Sequence, residues 1–100
     1  MAKLVVSPQA ALDAAAIVEL LSDKAGIDVA ARYLREFDAL FERISVFPRS
    51  GMRRPSLGRD VRFGVVEPYV IIYRYRADTV AVARIVDGRR NITRQLIRDD

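Results

Sequence analysis

The stretch VRFGVVEPYVIIYRYRADTVAVARIV, residues 61–86, decides the fold, because it holds three strand patterns separated by two turn signals. Runs rich in Val, Ile, Tyr and Phe are typical of strands, and Glu67-Pro68 and Ala77-Asp78 interrupt them at hairpin spacing. The predicted strands are Val61–Val66, Tyr69–Tyr75 and Thr79–Val86. Short turns force neighbouring strands to run antiparallel, so the sequence predicts a three-stranded antiparallel meander.

The first predicted helix begins where Ser7 can cap it and Pro8 suits its first turn, and it is expected to end near Lys24. A short apolar run at residues 4–6 precedes it and reads as a strand. The arc of the helix that should face the core consists of Ala10, Ala14, Ile17, Val18 and Leu21. A second apolar stripe, which is interleaved with acidic residues and expected to stay partly exposed, consists of Leu12, Ala16 and Leu20.

The second predicted helix is strongly amphipathic. Gly26 interrupts the first helix, Asp28 offers a cap, and Pro48 stops the pattern after about Phe47. The apolar residues recur at three- and four-residue spacing: Ala30, Tyr33, Leu34, Phe37, Leu40, Phe41, Ile44 and Phe47. Two helices joined by a short turn form an antiparallel hairpin. Residues 48–59 contain two prolines and two glycines and are therefore expected to be a loop.

This order of elements predicts one α+β domain spanning residues 1–100. A short N-terminal strand, the helical hairpin and the meander are followed by a short helical turn at Asn91–Ile97, where Ile92, Leu96 and Ile97 are expected to pack inward. The hairpin should cover one face of a twisted sheet. The sequence shows no signal-peptide pattern and no apolar run near the ~20 residues that span a bilayer. A cytoplasmic protein is expected, with no membrane partner.

Charge is divided unevenly along the chain. Residues 1–48 carry five basic and seven acidic residues, a net −2, whereas residues 49–100 carry twelve arginines and six acidic residues, a net +6, which gives +4 in total. Guanidinium groups bind phosphates and carboxylates, so this half is expected to meet an anionic partner, although surface arginines are often simply solvated. The arginines are Arg49, Arg53, Arg54, Arg59, Arg62, Arg74, Arg76, Arg84, Arg89, Arg90, Arg94 and Arg98.

The residue types that are missing narrow the possible chemistry. Without His or Cys, the usual zinc sites and the Ser-His-Asp and Cys-His catalytic arrangements are excluded. The sequence contains no glycine-rich phosphate loop and no calcium loop. We therefore expect no metal and no cofactor, and no catalytic residue of these kinds.

Five short motifs together resemble the ParE/RelE toxin superfamily. They are Ser7-Pro8-x-Ala10 with Asp13 and Ile17, Phe47-Pro48-Arg49-x-Gly51, Leu57-Gly58-x-Asp60-x-Arg62, residues 69–74 and residues 82–90. The resemblance covers almost the whole chain. It implies the toxin of a bacterial type II toxin–antitoxin pair, of the kind involved in plasmid stabilisation. The partner it implies is a ParD-like ribbon-helix-helix antitoxin whose carboxy-terminal segment wraps around the toxin.

Two activities occur among the proteins that the chain resembles. RelE-like members cut ribosome-bound mRNA, often with a carboxy-terminal Tyr or a His as acid or base, whereas ParE-like members poison DNA gyrase. Here Asp87 occupies the position before Gly88 where relatives often have His, and no tyrosine follows Tyr75. An efficient general acid or base has a pKa near the operating pH, which arginine and exposed aspartate lack. Gyrase poisoning is therefore favoured.

The alternative functions remain open at this point. A RelE-like, ribosome-dependent mRNA endoribonuclease could stabilise phosphate charge with its arginines and take a proton from Tyr73 or Tyr75, although cross-strand packing is the simpler role for these tyrosines. A plain nucleic-acid-binding module is a third possibility. Sequence-specific DNA binding is not expected.

The candidate site residues follow from the gyrase-poison interpretation. Those chosen for the target are Arg84, Arg89, Arg90, Asn91 and Arg94. Those chosen for the antitoxin are Leu12, Ala16, Leu20, Arg62, Tyr73 and Arg74. Arg49 is expected to tie down the loop after the second helix by bonding backbone carbonyls.

Overall fold

The computed structural model describes residues 1–97. In it the chain forms two long helices and a five-stranded sheet. The elements are β1 (Lys3–Val6), α1 (Pro8–Ala25), α2 (Ile27–Val46), β2 (Met52–Arg53), β3 (Val61–Val66), β4 (Tyr69–Arg76) and β5 (Thr79–Asp87). Short 3-10 turns are formed by Pro48–Ser50, Pro55–Leu57 and Arg94–Ile97. The predicted α+β class, helical hairpin and meander are confirmed. Arg98, Asp99 and Asp100 lie outside the described residues.

The strand order in the sheet is β1-β5-β4-β3-β2. The meander of β3, β4 and β5 is antiparallel as predicted, but the sheet as a whole is mixed, because β1 pairs parallel with β5. The connection from β1 to β5 passes through both helices, and such a long crossover permits parallel pairing. The loop prediction for residues 48–59 was incomplete, since β2 lies within it and pairs antiparallel with β3.

The two helix starts use different caps. Ser7 caps α1 as predicted: its Oγ accepts a hydrogen bond from the Ala10 N–H at 3.0 Å and donates to the Ala83 carbonyl at 2.8 Å. The predicted Asp28 cap is wrong, because Gly26, with φ +95°, caps α2 without a side-chain bond. Asp28 instead lies in the first turn, where its charge favours the positive end of the helix dipole.

The larger core lies between the two helices and the face of the sheet on which they pack. Its buried members include Ala10, Ile17, Phe37, Leu40, Ile44, Ile71, Tyr73, Val80, Val82 and Ile85. Gly64 of β3 allows the close approach of α2, since a Cβ there would lie 2.8 Å from Leu40 Cδ2. Two predicted core residues are exposed: Leu34 at 45% and Phe47 at 64%. Leu34 lies at the margin of the apolar arc, and Phe47 follows the last residue of α2.

The opposite face of the sheet covers a second, smaller core. It consists of Leu57, Val61, Val70, Ile72, Ala83, Val86 and Ile97, with Phe63, Ile92 and Leu96 packed against them. The predicted inward packing of the carboxy-terminal turn is therefore confirmed, although the described turn begins at Arg94. Both faces of the sheet are covered, one by helices and the other by the loop and this turn. Neither helix described here has the length and apolar character needed to cross a bilayer.

Candidate functional site

Arg84 of β5 forms a largely buried ion pair with Asp13 of α1. Its Nε lies 2.7 Å from Oδ2 and its Nη2 lies 3.1 Å from Oδ1, and the two side chains are 14% and 12% exposed. Asp13 Oδ2 also accepts the Ile85 N–H at 3.0 Å. Arg84 Nη1 donates to the Leu96 carbonyl at 3.1 Å. This arginine therefore joins α1, the sheet and the carboxy-terminal turn, and most of its hydrogen-bond donors are used within the fold.

Arg84 lies next to an irregularity in the pairing of β4 and β5. Ile72 pairs with Arg84 and Tyr73 pairs with Val82, so Ala83 is an extra residue in β5. A bulge of this kind changes the direction of the side chains beside it.

Arg74 also holds the carboxy-terminal turn, since its Nη2 donates to the Ile97 carbonyl at 3.1 Å.

Tyr73 is fully buried against the helices. Its hydroxyl donates to the Pro48 carbonyl at 2.8 Å and accepts the Gly51 N–H at 2.9 Å. Burial is the main cause that raises the pKa of Tyr73. A Cβ at Gly51 would clash with this hydroxyl and would lie 2.7 Å from the Phe63 carbonyl oxygen. Tyr73 therefore anchors the segment after α2, and its hydroxyl does not face solvent.

Arg62 also holds this segment, because its Nη1 donates to the carbonyls of Arg49 and Gly51 at 3.0 and 2.9 Å. The prediction that Arg49 makes such bonds was wrong. The Arg49 guanidinium instead lies over the Tyr75 ring, 5.2 Å from its centroid.

A hollow of about 470 Å³ lies where β3 begins and β4 ends, and we call it the arginine pocket. Its arginines are Arg49, Arg53, Arg59, Arg62 and Arg76. Asp60, Asp78 and Tyr75 also line it. Sequence reasoning selected only Arg62. The predicted hairpin could have indicated the others. Antiparallel pairing of Val61 with Arg74 brings the start of β3 and the end of β4, and the arginines beside them, to the same end of the sheet.

The segment after β5 exposes a second group of polar side chains, which we call the terminal patch. It consists of Arg89, Arg90, Asn91 and Arg94. Arg89 donates through Nε and Nη2 to the Asp87 carboxylate, at 2.9 and 2.5 Å. The side-chain hydrogen bond from Arg89 is the main cause that lowers the pKa of Asp87 to about 2. Asp87 is therefore ionised throughout the neutral range. Four of the five predicted target residues lie in this patch, and Arg84 does not.

The predicted antitoxin residues fall into separate places. Leu12 and Leu20 are 64% and 48% exposed, and Ala16 is exposed between them, so the predicted partial exposure of this α1 stripe is confirmed. Their spacing of four residues places them along one face of the helix. Arg62 lies in the arginine pocket, whose lining includes no residue of α1. Tyr73 is buried, and Arg74 bonds the carboxy-terminal turn.

The described residues offer no group of three or more His, Cys, Asp or Glu side chains placed to hold a metal ion.

Comparison with known proteins agrees with this fold. The sequence model of the ParE toxin of type II toxin–antitoxin system, parDE, matches residues 4–92. The curated Toxin ParE3 of Caulobacter vibrioides is 38% identical over 71 residues, which are 71% of this chain and 71% of that protein. A solved structure described as the chromosomal ParDE TA system from P. aeruginosa superposes with a TM-score of 0.74 at 22% identity, covering 87% of this chain and 96% of that one.

These matches define a toxin of the type II toxin–antitoxin class with a RelE/ParE-like fold. Within that class, the chain belongs to the ParE toxin family.

Proposed function

We propose that this chain arrests growth in the cytoplasm by binding DNA gyrase and stabilising its cleaved-DNA state, and that a cognate antitoxin neutralises it. Membership of the ParE family supports the toxin assignment. The observation that carries the choice of mechanism is the terminal patch: its three arginines are exposed, and one of them, Arg89, is bonded to the Asp87 carboxylate. Such a surface binds anions but offers no group that exchanges a proton near neutral pH.

Two of the side chains that an endoribonuclease could use, Asp87 and Tyr73, are poorly suited to proton transfer. Asp87, with its pKa near 2, is a very weak base at neutral pH. Tyr73 is buried, its pKa is raised, and both hydrogen-bonding functions of its hydroxyl are occupied by backbone groups. Tyr75 is the tyrosine that lines the arginine pocket. These contacts favour gyrase binding over the RelE-like alternative.

The proposed target surface is the terminal patch, and Arg84 supports it from within the fold. The bond from Arg84 to the Leu96 carbonyl fixes the turn that carries Arg94. A backbone that is already fixed loses less conformational entropy on binding than a mobile one does. Arg90, Asn91 and Arg94 are therefore the residues that we expect to contact gyrase or its DNA.

The proposed antitoxin surface is the apolar stripe of α1. An amphipathic segment of a ParD-like antitoxin can lay its apolar face along Leu12, Ala16 and Leu20. Tyr73 and Arg74, which bond backbone carbonyls of the toxin itself, support the surrounding fold in this proposal. The stripe is part of the helix hairpin and the terminal patch follows β5, so the two partners would use different elements.

The test is a gyrase cleavage assay with relaxed plasmid. The purified toxin should cause linear, gyrase-linked DNA to accumulate, and the double variant R90Q/R94Q should lose most of this effect. The matched control K24Q/R35Q removes the same charge from exposed helix residues outside the patch. Unimpaired supercoiling, together with cleaved ribosome-bound mRNA, would favour the endoribonuclease instead.

A further inference from the structure

We propose that the arginine pocket binds the phosphodiester backbone of a nucleic acid, without making or breaking a covalent bond. This inference goes beyond the gyrase proposal, because it concerns a different surface and is tested without gyrase. The pocket gathers five arginines from separate parts of the chain at one end of the sheet. With Asp60 and Asp78 as the two carboxylates of its lining, the formal charge of the pocket is five minus two, or +3.

Three of the five guanidinium groups already have contacts within the pocket region, although Arg76 is 75% exposed and is therefore held more weakly than Arg62. Arg62 is held by two backbone carbonyls, Arg49 lies over the Tyr75 ring, and Arg76 Nε lies 3.2 Å from Asp60 Oδ2. The two bonds of Arg62 both use Nη1, and the described residues provide no partner for its Nη2 or Nε. Fixed groups with free donors suit phosphate recognition, because little side-chain freedom is lost on binding.

The pairing of β2 with β3 places like charges face to face. Arg53 is the cross-strand partner of Arg62, and both line the pocket. Opposed like charges destabilise an antiparallel pair, and Cβ atoms of such partners lie only about 5 Å apart. An anion bound between the two guanidiniums would remove this repulsion. Within residues 1–97, neither Arg53 nor Arg59 has a carboxylate at ion-pair distance.

The lining favours a nucleic acid over a protein partner. Seven of its ten residues are charged, and Val61 and Ala77 are its aliphatic members. Protein interface cores are depleted of charged residues, whereas protein–nucleic acid interfaces are polar and strongly positive. The volume of about 470 Å³ is sufficient for a nucleotide-sized group, since ligand pockets span roughly 300–1,000 Å³.

The inference is tested by fluorescence anisotropy with a short labelled duplex DNA and a single-stranded RNA of the same sequence, between about 50 and 200 mM salt. Affinity should fall as salt rises, with a slope of log K against log salt near −0.9 per phosphate contact for the duplex and about −0.7 for the single strand. In the double variant R53Q/R59Q the slope should flatten by about 2, because each lost phosphate contact removes about one. The single variant R59Q should flatten it by about 1.

The control K24Q/R35Q removes two exposed positive charges outside the pocket and should leave the slope unchanged. Stronger binding of the duplex or of the RNA identifies which backbone the pocket accepts, and either outcome supports the inference. Equal weakening in both double variants would show diffuse charge attraction and overturn it. Absence of saturable binding to both probes would also overturn it. The inference would also be overturned if a poly-glutamate peptide bound more tightly than both nucleic acids and this binding were lost in R53Q/R59Q.

Discussion

Arg84 and Asp13 lie 71 residues apart in sequence and form a two-point contact, with Nε–Oδ2 at 2.7 Å and Nη2–Oδ1 at 3.1 Å. The pair joins the first helix to the last strand, and Arg84 extends the connection to the Leu96 carbonyl. An arginine that sequence reasoning selected for a binding surface therefore has a place inside the fold. Its neighbours after β5 remain exposed.

Removal of the Asp13 carboxylate should strongly destabilise the toxin. In D13A the Arg84 guanidinium loses its two bonds to the Asp13 carboxylate, and the Ile85 N–H loses its acceptor. Breaking a buried ion pair from one side costs about 3–5 kcal/mol, so we expect a loss near 3 kcal/mol because both side chains keep slight exposure. Urea unfolding followed by circular dichroism measures the change.

A double-mutant cycle separates the pair from its other bonds. R84A and D13A should each destabilise the fold, and the double variant should lose clearly less than the sum of the two. Additive losses would contradict an energetic coupling between Arg84 and Asp13.

Replacement of Tyr73 by phenylalanine should cost about 1–3 kcal/mol, because the Pro48 carbonyl and the Gly51 N–H lose their partner. Unfolding free energies of Y73F and of Y75F provide the measurement. Tyr75 is only half-buried, and Y75F is expected to change stability by less than about 0.5 kcal/mol. Equal effects of the two substitutions would show that the Tyr73 hydroxyl does not anchor the segment after α2.

The exposed stripe on α1 should determine antitoxin affinity. L12E/L20E places two carboxylates where an apolar surface is expected to dock, so binding of the antitoxin should weaken by at least about 100-fold, or roughly 3 kcal/mol. Calorimetric titration of the toxin with its antitoxin gives the dissociation constant. The control L34E alters an exposed leucine of the other helix. An affinity unchanged by L12E/L20E would remove the stripe from the interface.

The Asp87 carboxyl should titrate with a pKa near 2 in the folded toxin, well below its ordinary 3.8. A lowered folded-state pKa stabilises the fold above pH 3.8, and this contribution is lost as the pH falls from there towards 2. NMR titration of the Asp87 carboxyl carbon measures this pKa. In R89A the pKa should rise, but not fully to 3.8, because the N–H of residue 89 still donates to Asp87. R90A should leave it near 2, and a similar rise in both variants would contradict the assignment to Arg89.

Local signals were sufficient to predict much of this fold. The Ser7 cap, the apolar spacing of the second helix and the three strand patterns each depend on residues close in sequence, and all three are confirmed. β2 could not be predicted in the same way, because Met52–Arg53 is too short to show a strand pattern and its pairing partner β3 is a separate segment of the chain. The Gly26 cap was missed because Asp28 offered a competing signal.

The positions of the site residues were harder to predict than the fold. Charge alone did not separate Arg84, which is paired inside the fold, from Arg90 and Arg94, which are exposed. The difference arises from Asp13, which pairs with Arg84 and lies far away in sequence. Tyr73 and Arg74 were chosen together, yet alternation along β4 places Tyr73 against the helices and Arg74 near the carboxy-terminal turn.

The most direct measurement follows DNA and mRNA in parallel reactions of the purified toxin with gyrase and plasmid, and with translating ribosomes. We expect gyrase-linked double-strand breaks in the plasmid while the ribosome-bound mRNA remains intact, because the exposed groups bind anions and do not transfer protons near neutral pH. Intact plasmid with cut mRNA, and loss of that cutting in Y75F, would contradict the proposal that this toxin acts by holding gyrase on cleaved DNA.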